Sequence, residues 1–150
     1  MVELDGEPLV RRAVRLLRAG GCAPVHAVVG AGADALPELR GAVPVVNPHW
    51  RNGLGGSLRR GLASLPGHVR AAGAPVAAAG YAGRIGHPVL LGRAVWPLLD
   101  RYATGDRGAR DLLRARPDLV TVVPCDGLGS PLDVDTPGDL ARHAAAGHQE

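Results

Sequence analysis

Short runs of apolar residues alternate along this chain with segments in which apolar positions recur every three or four residues. The second pattern predicts helices with one buried face, and the short runs predict strands. The predicted helices cover 8–19, 57–65, 93–102 and 106–115, with a short segment at 34–40, and the predicted strands cover 25–29, 43–46, 75–79, 88–91 and 119–123. Because strands and helices alternate, the pattern favours an α/β sandwich with a largely parallel sheet.

Length and charge narrow the choice of function. At 150 residues the chain is expected to form one domain spanning 1–150. The formal net charge is +3 and all 17 basic residues are arginine, which reflects either coding bias or a need for guanidinium groups that bind phosphate. Aromatic residues make up only 3% and no basic block occurs, so we expect no nucleic-acid partner and favour phosphorylated small molecules.

Features of secreted and membrane proteins are missing from the sequence. No apolar run is long enough to span a membrane, and the first five residues lack the charged and apolar regions of a signal peptide. The two cysteines, Cys22 and Cys125, are far apart, which predicts buried free thiols rather than a disulfide framework or a zinc site. We therefore expect a cytoplasmic protein without a membrane partner.

The most informative segment is 47–61, where the strand at 43–46 leads through a glycine-rich loop into a helix. Glycines let the backbone approach an anion closely, and the free N–H groups at a helix start supply hydrogen-bond donors. No lysine follows the loop, so it is not a Walker P-loop, and Arg59 replaces the second glycine of a Gly-x-Ser-x-Gly nucleophile elbow. The segment therefore predicts phosphate binding by a loop that is neither a Walker P-loop nor a nucleophile elbow.

A second glycine pattern, at 30–35, matches the Gly-x-Gly-x-x-Ala form of the dinucleotide fingerprint. A Rossmann oxidoreductase that binds NAD is therefore an alternative. Against it, Pro37 cuts the following helix short, and the next strand ends in Asn47 rather than in an acidic residue that would hold a ribose. A simple tight turn is the other explanation of these glycines.

Near the C-terminus, two carboxylates precede the start of a predicted helix. Thr136 suits the N-cap and Asp139 the acidic position of a capping box, so capping accounts for both residues. Capping does not require Asp133 and Asp135, which alternate along an extended segment and could present oxygen ligands to a Mg²⁺–phosphate complex. A plain turn is the alternative for these two aspartates.

Two further segments combine glycine with polar groups. In the first, His87 follows Gly86 and could hydrogen-bond a phosphorylated substrate, although a turn histidine before a proline is the simpler explanation. In the second, Arg107 could clamp phosphate, or it could be solvated beside Asp106 acting as a helix N-cap. The sequence leaves both pairs of alternatives open.

Taken together and in this order, these segments resemble the molybdenum-cofactor cytidylyltransferases and related MobA-like nucleotidyltransferases. The resemblance covers nearly the whole chain. It rests on Asn47-Pro48 with Gly53-Leu54-Gly55-Gly56-Ser57-Leu58, on Gly86-His87-Pro88-Val89, on Gly105-Asp106-Arg107-Gly108-Ala109-Arg110 and on Asp133-Val134-Asp135-Thr136-Pro137. The Gly-His-Pro and Gly-Asp-Arg-Gly-Ala-Arg segments are more similar to the cytidylyltransferase branch than to the guanylyltransferase branch.

The resemblance implies a fold, a reaction and a set of site residues. The fold is a Rossmann-like three-layer α/β/α sandwich with a mostly parallel sheet, and the reaction is the Mg²⁺-dependent transfer of CMP from CTP to a molybdopterin acceptor with release of pyrophosphate. By resemblance, the acceptor pocket is bordered by Gly86, His87 and Arg107, the metal is held by the catalytic residues Asp133 and Asp135, and the nucleotide is bound by Asn47, Gly53, Leu54, Gly55, Gly56, Ser57 and Leu58. A molybdoenzyme or a maturation factor is the implied protein partner.

The chain also departs from the family pattern in two places. The family has an N-terminal strand with a Leu-Ala-Ala-Gly-type loop, and a central strand ending in Asp-Gln-Pro or Asp-Met-Pro, and this sequence contains neither. The second gap falls between Leu65 and Gly73 and amounts to about 25 residues, the size of one strand, one helix and their connections. We therefore expect a truncated sheet, and a noncatalytic nucleotide- or partner-binding remnant of the family is an alternative function.

Overall fold

The computed structural model describes residues 2–65, 75–128, 134, 136, 138–139 and 141–142. Strands and helices alternate through most of these ranges, which confirms the predicted α/β class. The strands are β1 (Glu3–Leu4), β2 (Glu7–Pro8), β3 (His26–Val29), β4 (Val43–Val46), β5 (Val76–Tyr81), β6 (Arg84–Leu91) and β7 (Val120–Pro124). The longer helices are α1 (Leu9–Ala19), α2 (Leu54–Ser64), α3 (Trp96–Tyr102) and α4 (Arg110–Ala115).

The strands form three small sheets. β1 and β2 make an antiparallel hairpin, β3 and β4 make a parallel pair, and the third sheet has the order β6-β5-β7. Within the described ranges no strand joins the parallel pair to the third sheet, so one edge of β3 and one edge of β6 have no strand beside them. This division agrees with the expectation that the sheet is truncated.

The strand predicted at 88–91 is the second half of β6, which runs antiparallel to β5. The two strands are joined by the two-residue turn Ala82-Gly83, in which both residues have positive φ, as a type I′ hairpin turn requires. The N–H of Ala82 donates a hydrogen bond of 2.8 Å to a carboxylate oxygen of Asp126. The parallel component is the pairing of β5 with β7, which runs from Val76 beside Val120 to Gly80 beside Pro124.

Helix α1 lies where the sequence predicts it, whereas the other helices differ at their ends. α2 begins three residues before the predicted start, at Leu54 instead of Ser57. The predicted helix at 93–102 divides into a 3-10 turn at Arg93–Val95 and α3, and that at 106–115 divides into a 3-10 turn at Gly105–Arg107 and α4. The segment at 34–40 contains only the 3-10 turn Ala33–Ala35.

The core lies between the third sheet and the helices α3 and α4. Its buried members are Val76, Val95, Leu99, Ala103 and Leu112. Leu58 and Leu62 of α2 pack against this cluster from one side. At the C-terminal end of α2, Ser64 lies 2.8 Å from the His26 ring of β3, measured from Oγ to Nδ1. Helix α2 therefore connects the parallel pair to the core.

None of the helices in the described ranges is long and apolar enough to cross a membrane. Both cysteines are free thiols, as expected. The prediction that they are buried is wrong for Cys22, which is exposed in the loop after α1, while Cys125 is half-buried after β7.

Candidate functional site

The candidate site is built at the N-terminus of α2, and Asn47 holds the chain that leads into it. Asn47 directly follows β4 and is only 5% exposed. Its side-chain Nδ2 donates to Ser57 Oγ at 3.0 Å, and its Oδ1 accepts the His49 N–H at 3.1 Å. A buried amide needs such partners, and these two fix the segment 47–53 against the first turns of α2.

The glycines at the start of α2 allow a close approach of two backbone segments. A Cβ atom on Gly53 would lie 2.5 Å from the carbonyl oxygen of Gly105, and its φ of +104° also disfavours other residues. A Cβ atom on Gly55 would lie 2.6 Å from the carbonyl carbon of Ala103 and 3.0 Å from the N atom of Thr104. The segment that follows α3 thus occupies the space where side chains of the loop would otherwise stand.

Gly56 is in a different environment from Gly53 and Gly55. A Cβ atom added to it would meet nothing within 4 Å among the described residues. Gly56 lies in the first turn of α2, which has no side-chain cap, so the first N–H groups of the helix receive no acceptor from a capping side chain. Since an uncapped helix start attracts anions, this open end of α2 is the part of the loop suited to a phosphate group.

Arginines surround the start of α2. The guanidinium group of Arg51 stacks on the Trp50 ring with its carbon 4.4 Å from the ring centre. Arg59 donates through Nη1 to the carbonyl oxygen of Ala103 at 2.6 Å, and Arg60 donates through Nε to the carbonyl oxygen of Val46 at 3.3 Å. These contacts hold the arginines next to the open helix end, where they add positive potential.

The structure brings together two of the four segments that the sequence singles out. Gly53–Leu58 lies against the segment containing Gly105 and Arg107, and Leu54 also contacts Gly108, where a Cβ atom would lie 3.1 Å from a Leu54 methyl carbon. Arg107 is 69% exposed and forms an ion pair with Asp111 at 3.4 Å. Asp106 does not cap α4, whose N-cap is Ala109, because Asp106 belongs to the separate 3-10 turn before it.

The third segment lies in β6 and faces a different neighbour. A Cβ atom on Gly86 would lie 3.0 Å from the Tyr81 ring, and the hydroxyl group of Tyr81 donates to the carbonyl oxygen of His87 at 3.1 Å. The side chain of His87 is exposed. In the described part of the chain, no hydrogen bond or ion pair joins Gly86 or His87 to residues 53–58 at the start of α2, called the α2 loop below.

The predicted metal ligands Asp133 and Asp135 lie outside the described residues. Among the residues that are described, no three histidine, cysteine or acidic side chains come together as a metal site would require. Whether Asp133 and Asp135 bind a metal therefore stays a prediction from the sequence.

The capping interpretation of the C-terminal segment is confirmed. The N–H of Thr136 donates to Asp139 Oδ2 at 2.7 Å, and the N–H of Asp139 donates back to Thr136 Oγ1 at 3.2 Å. These two reciprocal bonds form a capping box. Asp139 also pairs with Arg142 one turn later. Thr136 and Asp139 are thus accounted for by helix capping, and neither is needed as a metal ligand.

The dinucleotide fingerprint at 30–35 has a structural explanation that needs no ligand. The helix that should follow it is a single 3-10 turn, Ala33–Ala35, and Gly32 has the left-handed conformation. A Cβ atom on Gly30 would lie 2.6 Å from Cγ of Trp50. The tight-turn interpretation therefore fits, because the pyrophosphate of a dinucleotide requires the N-terminus of a longer helix.

Several contacts that shape the site could not be seen in the sequence. The packing of Gly30 on Trp50 and the bond from Arg59 to Ala103 each join residues that are distant along the chain. No local pattern marks either pair. The arginine content and the glycine clusters were the only features of the sequence that indicated a role for these positions in the site.

The chain is similar in sequence to a known domain family and to a known protein. The model of the MobA-like NTP transferase domain matches residues 1–72. The chain is 30% identical over 169 residues to the nicotine blue oxidoreductase of Paenarthrobacter nicotinovorans, and the match covers 91% of this chain and 83% of that protein. Since 169 positions exceed the 150 residues of the chain, some positions of the relative have no counterpart here.

Similar solved structures come from mycobacteria. Rv0371c of Mycobacterium tuberculosis H37Rv is 22% identical, with a TM-score of 0.79 over 97% of this chain and 88% of that one. A structure of the same protein in complex with manganese has a TM-score of 0.82 over 97% and 90% of the two chains. The homologue from Mycobacterium sp. strain JC1 is 23% identical, with a TM-score of 0.80 over 97% and 86%.

The solved structures are too distant in sequence to show more than the fold, and they confirm the Rossmann-like α/β class. The domain match, over residues 1–72, includes the segment at the start of α2, and the relative at 30% identity covers 91% of the chain. The chain belongs to the family of MobA-like NTP transferases.

Proposed function

We propose that the chain binds a nucleoside triphosphate, with CTP favoured, through the open N-terminus of α2. The observation that carries the proposal is the uncapped start of this helix, with the open position Gly56 in its first turn and arginines beside it, in a chain of the MobA-like family. The backbone N–H groups of 54–56 point out of a helix start and hold a phosphate group there. The motifs at Gly86-His87 and Gly105–Arg110 favour CTP over GTP by resemblance.

The proposed reaction transfers CMP to a molybdopterin-type acceptor. A phosphate oxygen of the acceptor forms a bond to the α-phosphorus of CTP, the bond from that phosphorus to the bridging oxygen breaks, and pyrophosphate leaves with the electron pair. No protein nucleophile is required, so the chain's contribution is to align the two phosphates and to offset their charge. The helix N–H groups hold the nucleotide, and the exposed His87 and Arg107 contact the acceptor.

A divalent cation, Mg²⁺ in the cell, would offset negative charge on the triphosphate when bound. The manganese complex of the fold relative Rv0371c supports a role for a divalent cation in proteins of this fold. In this chain the cation is assigned to Asp133 and Asp135, which precede the capping box at Thr136 in sequence. The proposed partners are therefore CTP, the molybdopterin acceptor and a molybdoenzyme or maturation factor that receives the product.

The phosphate-binding role of α2 predicts opposite changes in stability and affinity for Gly56→Ala. Alanine should raise the free energy of unfolding by about 0.5–1 kcal/mol, because it is a better helix former than glycine. The added methyl group points toward the helix N-terminus, where it would keep the phosphate group away from the N–H donors. It should weaken CTP binding by about tenfold, which corresponds to the loss of one hydrogen bond to a charged group. Calorimetric titration with CTP and Mg²⁺, beside a denaturation curve, measures both quantities. Unchanged CTP affinity in a stabilised variant would contradict the assignment.

The metal assignment predicts that two neighbouring substitutions separate binding from stability. Asp135→Ala should abolish the part of the CTP affinity that depends on Mg²⁺, because it removes a carboxylate ligand. Thr136→Ala, the matched control, should leave that affinity unchanged and lower the free energy of unfolding by about 1 kcal/mol through loss of the cap. Titrations with and without Mg²⁺ and urea denaturation provide the two readouts. Equal losses of stability with unchanged CTP affinity in both variants would remove the metal assignment.

A second candidate function is that of an oxidoreductase that binds NAD. One observation favours it: the curated relative at 30% identity is named a nicotine blue oxidoreductase. The short 3-10 turn at Ala33–Ala35 speaks against a dinucleotide at the fingerprint glycines. Titration with NADH and NADPH distinguishes the two candidates, since a cytidylyltransferase binds neither. CTP binding without release of pyrophosphate would instead identify a noncatalytic remnant of the family.

A further inference from the structure

A cavity of about 540 Å³ lies between α1 and the segment 38–40. It shares no lining residue with the start of α2. The buried side chains of Val14 and Leu39 form its apolar part, and the rest is lined by charged side chains. Its size falls within the range of about 300–1,000 Å³ that is usual for small-molecule sites.

Four arginines line this cavity, and one acidic side chain accompanies them. Arg11, Arg15 and Arg18 come from one face of α1, Arg40 comes from the facing segment, and the acidic residue is Glu38. Residues four and seven positions apart on a helix lie on the same face, so the three helix arginines stand close together. We refer to this group as the arginine cavity.

The arginines of the cavity keep unused hydrogen-bond donors. Arg11 donates through Nε to the carbonyl oxygen of Glu38 at 3.1 Å. Arg40 forms an ion pair with the Glu38 carboxylate, with Nε 3.5 Å from the nearer oxygen. Arg15 is the most fully paired, with two bonds to the Glu7 carboxylate. The Nη groups of Arg11 and Arg40 have no partner among the described residues. A guanidinium fixed at Nε can still present its Nη donors to a second anion.

Arg18 is positioned by a glycine rather than by an acid. A Cβ atom on Gly41 would lie 2.7 Å from Cζ of Arg18, and the φ of +84° at Gly41 also favours glycine. The guanidinium group therefore lies directly on the backbone at Gly41. No hydrogen bond or ion pair of the Arg18 side chain to another described residue is present, so its donors are available.

The charge around the cavity is incompletely balanced. Glu38 is the one acidic lining residue and Glu7 pairs with Arg15 from the rim, so four guanidinium groups face two carboxylates. The positive field is felt at Glu7, whose pKa is lowered first by its hydrogen bond with Arg15 and further by the charges of Arg15, Arg12 and Arg11. Like charges held together repel unless an anion lies between them.

We propose that the arginine cavity binds a small molecule carrying two or more phosphate charges. Guanidinium groups recognise phosphate oxygens in pairs, and the free Nη groups of Arg11, Arg18 and Arg40 provide such pairs around one space. A concave cavity with an apolar part formed by Val14 and Leu39 fits a small organic phosphate better than a nucleic-acid backbone. No aromatic side chain lines it to stack on a base.

Pyrophosphate, without metal ion and near physiological salt, is the probe that tests this proposal. The protein should bind it, and Arg18→Gln should weaken binding by about tenfold, the worth of one hydrogen bond to a charged group. Arg12→Gln is the matched control, because Arg12 lies on the same helix, carries the same charge and pairs with Asp5 at 3.8 Å instead of lining the cavity. It should change the affinity less than about twofold, as expected for an exposed pair.

Three outcomes would overturn the proposal. The first is that pyrophosphate does not bind. The second is that Arg12→Gln and Arg18→Gln weaken binding equally, which would mean that the overall positive charge of α1 attracts the anion. The third is that the protein binds duplex RNA or DNA but not pyrophosphate. Gly56→Ala should leave metal-free pyrophosphate binding unchanged, which separates this site from the proposed CTP site. Thermal unfolding of both glutamine variants checks that each is folded.

Discussion

Leu99→Ala is expected to lower the free energy of unfolding by about 2–5 kcal/mol, the range measured for truncation of a buried leucine. Leu99 is 1% exposed and lies in the cluster formed by Val76, Val95, Ala103 and Leu112. Its removal leaves a cavity between the third sheet and the helices α3 and α4. The consequence extends to the candidate site, because Ala103, at the end of α3, belongs to the same cluster and touches the α2 loop.

Urea denaturation of wild type and variant measures this effect. The matched control is Leu128→Ala, since Leu128 is 82% exposed and follows β7 in a turn. This surface change should alter the free energy of unfolding by less than about 0.5 kcal/mol. A loss for Leu99→Ala no larger than that of the control would mean that the cluster around Val76 is not the core of the protein.

Gly55→Ala is expected to destabilise the protein by about 1–3 kcal/mol through overpacking, although alanine forms helices better than glycine does. The new methyl group would lie 2.6 Å from the carbonyl carbon of Ala103, and backbone atoms cannot turn aside as a side chain can. Either α2 or the segment after α3 must move. Such a shift would also strain the bond from Arg59 to the Ala103 carbonyl group.

The neighbouring variant Gly56→Ala is the control, because both substitutions add one methyl group to the first turn of the same helix. A chemical denaturation series on the two variants should show Gly55→Ala below wild type and Gly56→Ala at or above it. Equal stabilities for the two variants would contradict the close approach of α2 to the segment 103–105.

Gly53 and Gly55 show which features of the fold and site the sequence alone could predict. The pattern located α1, both strands of the parallel pair and the capping box at Thr136, because hydrophobic periodicity and capping are local signals. It identified 53–58 as a loop of interest but not the reason for its glycines. Gly53 and Gly55 are needed by a segment about fifty residues later in the chain, and no local rule reveals such a contact.

The predicted start of α2 was wrong and the antiparallel direction of the strand at 88–91 was missed, for related reasons. Counting Gly53–Gly56 as loop placed the start of α2 too late, since glycine is a poor helix former on average. The reversal between β5 and β6 was missed because the turn uses Ala82-Gly83 rather than Asn-Gly or Asp-Gly. That turn is supported by Asp126, which lies beyond β7 and is therefore invisible to a local pattern.

We expect a nucleoside triphosphate to bind at the open start of α2. The most direct test is to map backbone amide chemical-shift changes by nuclear magnetic resonance while CTP is added in the presence of Mg²⁺. We expect saturable changes concentrated at the amides of 53–58 and 105–107, and smaller changes at α1. Changes confined to Arg11, Arg18 and Arg40, or no saturable change at all, would contradict the claim.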